Sequence, residues 1–343
     1  MRFCKRPFEN FEMDGNFEVF TCCPNYFKER QIIGNLLHES PENIWNSEVA
    51  QNLRQHILKG DFSLCNTGRC CNYGALEDIS EEELQEYSPI CTQKPKYVWL
   101  YYDIICNARC ILCRDKFYGN HNEKTDFLND MAEEKILPLL KDAETIYLNG
   151  AGEVFFSEHT QHLIKRANKL YPHLKYDLVS NGFLCNRENL QKLGIENKLE
   201  KLTISIHAAT EETHKKIFRT GSLKTILKNL KELKEMKDSG IIPFIQLIFV
   251  VTSINYKEMP AFVRLAQDMN MAAVFCDYVA YDYTEMGRNE KEYNIIKPEH
   301  PLHKDLLKVL KSEEFNDSQH CYLNPLIQSL RTQALSDKEK TEE

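Results

Sequence analysis

The segment Cys106-Asn-Ala-Arg-Cys110-Ile-Leu-Cys113 sets three cysteines in a C-x3-C-x2-C spacing. Three thiolates on one short loop can each hold one iron of a cubane cluster, leaving the fourth iron open to an exchangeable ligand. Structural zinc is the competing use of such a loop, and it needs four closed ligands. Cys91 or His121 would have to supply the fourth.

A second cysteine set lies upstream: Cys4, the pair Cys22-Cys23, and Cys65-x4-Cys70-Cys71. The chain has thirteen cysteines, an odd number, and nine of them fall in these two groups. Met1 to Gly15 mixes charges with aromatics and has no apolar core, so no secretory signal is expected. Clustered thiols in a reducing compartment point to metal rather than to a disulfide framework. Six thiols can saturate one cluster. Iron and zinc share the thiolate preference, so a structural zinc site remains the alternative for this group.

Other polar residues sit where apolar runs end. Leu148-Asn-Gly-Ala-Gly-Glu153 combines glycines, which let backbone approach a ligand closely, with a carboxylate that can take an ammonium. Ser180-Asn181-Gly182 reads as a polar turn. Ser205 and His207 close another run, and His207 is either a substrate contact or a satisfied, partly buried histidine. Cys276 and Asp277 end a further run. A thiol there can return a hydrogen atom, and a carboxylate can take a proton as a general base. Neighbours on a strand face opposite ways, so one of the two is expected to point inward. Cys276 also reads as a small buried hydrophobe. Tyr278, Tyr281 and Tyr283 are placed to line a pocket.

The elements that must position these residues alternate from Tyr97 onward. Strands are predicted at 97–104, 145–148, 176–179, 201–206, 244–251 and 273–279. Helices are predicted at about 126–141, 157–170, 187–193, 222–237 and 257–269. Leu223, Ile226, Leu227, Leu230 and Leu233 share one helix face. Short apolar strands alternating with helices predict a parallel sheet with right-handed crossovers. Six such units make an α/β partial (β/α)6 TIM-like barrel, with its ligand site at the C-terminal strand ends.

Before it, residues 1–73 read as a small cysteine-rich α+β module, with short strands and then one helix over 41–59 capped by Ser40. Residues 74–96 read as an acidic linker with a helix over 80–87. The barrel is assigned to 97–281, a helical extension to 282–335 and a disordered charged tail to 336–343. The net charge of −8 argues against a phosphate-backbone binder, and no run of eighteen apolar residues exists. A cytoplasmic protein with no nucleic-acid or membrane partner is expected.

The loop Cys106, Cys110, Cys113 resembles the signature loop of the radical S-adenosylmethionine (SAM) superfamily. Leu112 stands where that family usually has an aromatic residue. The resemblance implies that SAM chelates the open iron of a [4Fe-4S] cluster. One-electron reduction then yields a 5′-deoxyadenosyl radical, which takes a hydrogen atom from substrate. It also implies that Gly150, Gly152 and Glu153 correspond to a glycine-rich motif whose glutamate accepts from the SAM amine. Val154 stands where proline is common. Ser180, Asn181 and Ser205 fall near the rest of the cofactor, and Arg219 resembles an arginine that pairs with the SAM carboxylate. Without the resemblance, Arg219 is a solvated helix end, and Val250 and Val251 are core rather than an adenine platform.

The N-terminal set Cys4-x2-Pro7, Cys22-Cys23, Ile33-Gly34-Asn35-Leu36, Ile44-Trp45-Asn46, Arg54 and Cys65-x4-Cys70-Cys71 resembles the SPASM module, which carries auxiliary [4Fe-4S] clusters. Here it precedes the barrel instead of following it. The resemblance implies Cys4, Cys22, Cys65 and Cys70 as ligands, with Cys23 and Cys71 as adjacent alternatives.

An enzyme of this kind abstracts hydrogen from an unactivated carbon, giving dehydrogenation, epimerisation or a cross-link, with a flavodoxin- or ferredoxin-type electron donor. Many of the enzymes it resembles act on peptides. No winged-helix-like extension for leader-peptide capture is visible, so sugar- or antibiotic-type small polar metabolites compete closely. The reading from another class is a metal-stabilised binding protein that has lost catalysis. Retention of all three loop cysteines and Glu153 speaks against it.

Overall fold

The computed structural model describes residues 1–70, 72–114, 125–148, 152–280 and 284–339. The chain divides into two compact units, Met1–Ile105 with His121–Asp177 and Cys106–Asn120 with Leu178–Glu343.

The first unit holds strands β1 (Asn10–Met13), β2 (Glu18–Phe20), β3 (Gly34–Asn35), β4 (Tyr97–Leu100) and β5 (Thr145–Leu148), in spatial order β3-β2-β1-β4-β5. β1 pairs antiparallel with β2 and parallel with β4, and β4 pairs parallel with β5. The cysteine-rich segment therefore extends the β/α sheet directly, through Phe11 opposite Val98 and Met13 opposite Leu100. β4 alternates. Val98 and Leu100 are buried, while Trp99 on the other face stacks on its cross-strand partner Tyr147 with centroids 3.7 Å apart.

The single helix expected over 41–59 is two helices, Pro41–Trp45 and Glu48–Leu58. Side-chain chemistry makes the break. Ser47 accepts from Ala50 N to start the second helix, and the Asn46 side chain turns away to pair with the backbone of Cys91. The helix expected over 80–87 shortens to Glu81–Leu84, closed by a Ser80/Glu83 capping box. The 126–141 helix passes through a π-helical turn at Ala132–Ile136. Helix Glu158–Leu170 starts at Ser157, whose side chain accepts from Thr160 N, and buries Leu163, Ile164 and Ala167.

The chain passes from the first unit to the second within β6 (Lys175–Ser180). The second unit orders β7 (Leu199–Ser205), β8 (Ile245–Val250), β9 (Ala272–Cys276) and β10 (Cys321–Leu323) side by side, all parallel. Ser222 caps helix Leu223–Asp238, which buries Leu223, Ile226, Leu230 and Leu233 as expected. Leu227 is only half-buried, and Asn229 takes a buried place instead. β9 ends at Cys276, so Asp277 lies beyond the strand. The C-terminal part, expected to hold one or two helices, contains Glu285–Arg288, Glu290–Tyr293, His303–Val309 and Pro325–Glu339, together with β10. The two four-residue helices are too short to show a helical period in sequence.

Each unit is α/β with parallel strand–helix repeats, the class expected, and neither strand order closes into a ring. Among the described residues no helix is long and apolar enough to cross a membrane.

Candidate active site and auxiliary cysteine site

The C-x3-C-x2-C loop is held by its own unit. Ile111 N donates to Ile217 O at 3.0 Å, and Arg109 N donates to Thr220 Oγ1 at 3.3 Å. Cys106 and Ala108 pack on Ile217 and Phe218, with Cys110, Leu112 and Phe183 around them. Three donors point at the sulfurs. Ala108 N and Asn181 Nδ2 approach Cys106 Sγ at 3.4 and 3.7 Å, and Arg114 Nη2 approaches Cys113 Sγ at 3.5 Å. Burial pushes the Cys110 thiol well up, and its neighbours Cys106 and Cys113 add to the push while Arg114 opposes it. Three crowded thiols surrounded by donors suit sulfur that carries negative charge. A cluster's irons would supply the compensating positive charge. Among the described residues no group of three or more His, Cys, Asp or Glu converges as ligands of one metal ion. Thiolates of a cubane each bind a different iron and need not converge.

Asn181 joins this loop to the end of β6. The same Nδ2 donates to Asn107 Oδ1 at 2.7 Å, and its Oδ1 accepts from Phe183 N. Ser180 Oγ accepts from Gly182 N at 3.0 Å, and Asn229 Nδ2 serves the Gly182 and Phe183 carbonyls. Gly182 has φ +82°, which explains glycine in this turn. Ser205 is the last residue of β7 and is half-buried. Arg219 adopts φ 56° and places its fork on Glu285, with two contacts of 2.6 Å. Its guanidinium is thus presented in the geometry that binds a carboxylate. His207 is buried, accepts from Val250 N at 3.1 Å and stacks on Phe218. Burial pushes its pKa down to about 3. Val251 is fully buried and Val250 half-buried. The Cys276 thiol is pushed up to about 11 by burial, then by Asp277. Asp277 accepts from Asn324 Nδ2. Tyr278 is buried, while Tyr281 and Tyr283 lie outside the described residues.

In the first unit, Glu153 is buried and its N–H donates to Ile105 O at 2.8 Å. A Cβ on Gly152 would stand 2.6 Å from Asp103 O and 3.0 Å from Ile105 O, so this close approach requires glycine. Gly150 and His121 lie outside the described residues. Sequence reasoning missed Asp103, the organiser of this strand end. It accepts from Ile105 N at 3.0 Å, from Thr160 Oγ1 at 2.6 Å and from Ser157 Oγ. Asp103 and Glu153 line one small cavity with Tyr102 and Gly152. The only signal in sequence was an acid closing an apolar run. Cys91 is half-buried, and its thiol faces Ser88 O.

Four of the N-terminal cysteines border one cavity in the first unit. Cys4, Cys22, Cys65 and Cys70 line this cavity, walled mostly by apolar side chains such as Phe27, Leu53, Ile57 and Phe62, with Arg6 and Asn72 among them. An antiparallel bridge between Phe27 and Cys65 brings the distant segments together. Burial pushes the thiols of Cys4 and Cys22 up, and that of Cys65 up to about 11, with Cys4 and Cys70 adding to the last. A mostly apolar cavity lined by four thiols, three of which (Cys4, Cys22 and Cys65) burial disfavours as free thiolates, fits a metal-bound state. Cys23 is half-buried and off the cavity wall, and Cys71 lies outside the described residues. Arg54, fully buried over the Trp45 ring, clamps this module through the carbonyls of Pro7 and Pro89 and through Asn46 Oδ1.

The radical SAM superfamily model matches residues 104–266, and the SPASM iron–sulfur cluster-binding domain model matches residues 4–86. A GTP 3′,8-cyclase of Clostridium perfringens is 29% identical over 136 residues, covering 38% of this chain and 40% of that protein. A probable GTP 3′,8-cyclase of Saccharolobus islandicus is 25% identical over 171 residues, covering 49% of this chain and 51% of that protein. The chain thus spans about half the length, or less, of these curated relatives. Among solved structures, Streptococcus suis SuiB bound to S-adenosylmethionine aligns with TM-score 0.49 at 13% identity, covering 82% of this chain and 62% of that one. A radical SAM domain together with an SPASM domain implies [4Fe-4S] clusters and SAM as cofactors. The chain carries a radical SAM superfamily domain over residues 104–266 and, ahead of it, an SPASM iron–sulfur cluster-binding domain over residues 4–86.

Proposed function

We propose that Cys106, Cys110 and Cys113 hold the SAM-binding [4Fe-4S] cluster and that Cys4, Cys22, Cys65 and Cys70 hold an auxiliary one. Held there and reduced, the first cluster would supply the one electron needed to cleave SAM homolytically at its adenosyl carbon–sulfur bond. The observation that carries this reading is the set of N–H donors aimed at the sulfurs of Cys106 and Cys113. Such outer contacts orient thiolate ligands and spread their charge. Gly150, Gly152 and Glu153 take the SAM amine, Ser180, Asn181 and Ser205 the remainder of the cofactor, and Arg219 its carboxylate.

The enzyme acts in the cytoplasm, with a flavodoxin- or ferredoxin-type donor, on a peptide or a small polar metabolite. It abstracts hydrogen from an unactivated carbon, leading to dehydrogenation, epimerisation or cross-linking. Cys276 as hydrogen-atom donor and Asp277 as base are the candidates for the second half of the reaction. The thiol, which burial keeps protonated, suits the first role.

A second reading takes a purine nucleotide as substrate and an intramolecular cyclisation as outcome. The curated relatives named GTP 3′,8-cyclase support it.

Anaerobic reconstitution tests both. Iron at about eight atoms per chain supports two clusters, and about four supports one. Reduction in the presence of SAM must release 5′-deoxyadenosine, and its absence with any candidate substrate, GTP included, would remove the catalytic reading. Loss of the product in Cys106→Ala, Cys110→Ala and Cys113→Ala assigns it to the loop.

A further inference from the structure

We propose that Arg6 sets the reduction potential of the auxiliary cluster, as the charged residue that turns an otherwise apolar cysteine cavity into a site able to accept an electron. This rests on the reading above, that Cys4, Cys22, Cys65 and Cys70 hold a cluster.

Arg6 reaches one of the four thiols and stands on the wall that all four line. Its Nη1 lies 3.7 Å from Cys22 Sγ, at hydrogen-bonding distance for sulfur. Among the described residues it is the one charged side chain on the cavity wall. The rest of the lining is mostly apolar.

Two opposite effects therefore meet there. Four thiolates on a [4Fe-4S] core leave a net negative charge, and one-electron reduction increases it. A low-dielectric wall disfavours that increase and lowers the potential. A guanidinium at hydrogen-bonding distance from a sulfur favours the reduced state and raises it. Arg6 cannot be deprotonated in this range, so its charge is constant.

The protein also fixes where that charge sits. Arg6 lies over the Trp99 ring at 5.6 Å, and its Nη1 is 3.5 Å from the buried carboxylate of Glu12. Glu12 offsets part of the positive charge, so the field at the sulfurs is the difference between two groups held on adjacent elements.

The test uses the full chain with Cys106, Cys110 and Cys113 all changed to Ala, so that only the auxiliary cluster is loaded, in a redox titration read by electron paramagnetic resonance. In this background Arg6→Gln must lower the midpoint potential, and Arg6→Lys, which keeps the charge without the fork, must fall between it and the parent. Arg30→Gln removes an exposed positive charge that pairs with Asp14 and Glu18, off the cavity wall, and must leave the midpoint in place. Should Arg6→Gln fail to load iron, Glu12→Gln at alkaline pH reads the same field from the other side and must raise the midpoint. A loaded cluster whose midpoint does not move in these variants, or moves equally in Arg30→Gln, overturns the role of Arg6 alone. A triple-alanine chain that binds no iron overturns the auxiliary-cluster reading, and the inference with it.

Discussion

Asn181 and Cys106 are joined by a side-chain contact: the Asn181 amide nitrogen lies 3.7 Å from the Cys106 sulfur while also donating to Asn107 Oδ1 at 2.7 Å. One side chain from the end of β6 therefore supports a thiol and its following residue. Outer contacts of this kind cost about 10–100-fold in metal affinity or activity when removed. Asn181→Ala should slow 5′-deoxyadenosine release by that order. Asn181→Asp, which puts an acceptor and a negative charge beside the sulfur, should slow it further. Rates near the parent's in both variants would show that the contact has no functional weight.

Gly152 should tolerate no side chain. A methyl group there would meet Asp103 O at 2.6 Å, and both are backbone-fixed neighbours. Gly152→Ala is expected to destabilise the chain by about 1–3 kcal/mol and to weaken SAM binding, because it displaces the segment that carries Glu153. Thermal unfolding together with SAM titration checks both effects. A stable variant with unchanged SAM affinity would contradict the close approach.

Arg54 should matter for the module's stability rather than for its electrons. Its removal leaves the Pro7 and Pro89 carbonyls without their donor. Arg54→Met should cost about 1–3 kcal/mol, and Arg54→Lys should recover little, because a single ammonium cannot reach both carbonyls and Asn46 at once. Unfolding midpoints of the two variants give the comparison, and full rescue by lysine would count against the clamp.

Acid should destabilise the fold in a defined window. Burial holds His207 down to about 3 and His159 down to about 4, from an ordinary value of 6.5. His159 is neutral in a chain of contacts, with Tyr102 at 2.5 Å and Asn129 at 2.7 Å. Below pH 6.5 the unfolded chain binds protons that the folded chain refuses. Stability is therefore full above that pH and declines as pH falls toward the folded values, by at most about 1.4 kcal/mol per pH unit for each histidine. His207→Gln should flatten the decline in unfolding midpoint between pH 6.5 and pH 4 (about one histidine's share by that linkage). An unchanged slope in the variant would place the acid sensitivity elsewhere.

Much of the scaffold was legible residue by residue. The caps Ser157 and Ser222 start helices where their side chains predict, and the apolar runs at 145–148 and 245–250 are strands. The break at Asn46–Ser47 was not legible, because Asn46 leaves the helix to bond Cys91, forty-five residues away. Asp103 escaped notice for a similar reason. Its hydroxyl partners Ser157 and Thr160 lie on a helix fifty-four and fifty-seven positions later.

The spacing of Cys106, Cys110 and Cys113 is a local property, and by itself it pointed to a cluster with an open iron and to the radical SAM family. Ligand spacing, capping and hydrophobic period act over a few residues, so a sequence displays them. Only the tertiary structure decided which four upstream cysteines share a cavity, that Arg6 stands on its wall, that Arg219 pairs with Glu285 and that Asn181 supports Cys106. Those partners are set by the packing of strands and helices far apart in the chain, and no short-range preference encodes where a distant side chain will arrive.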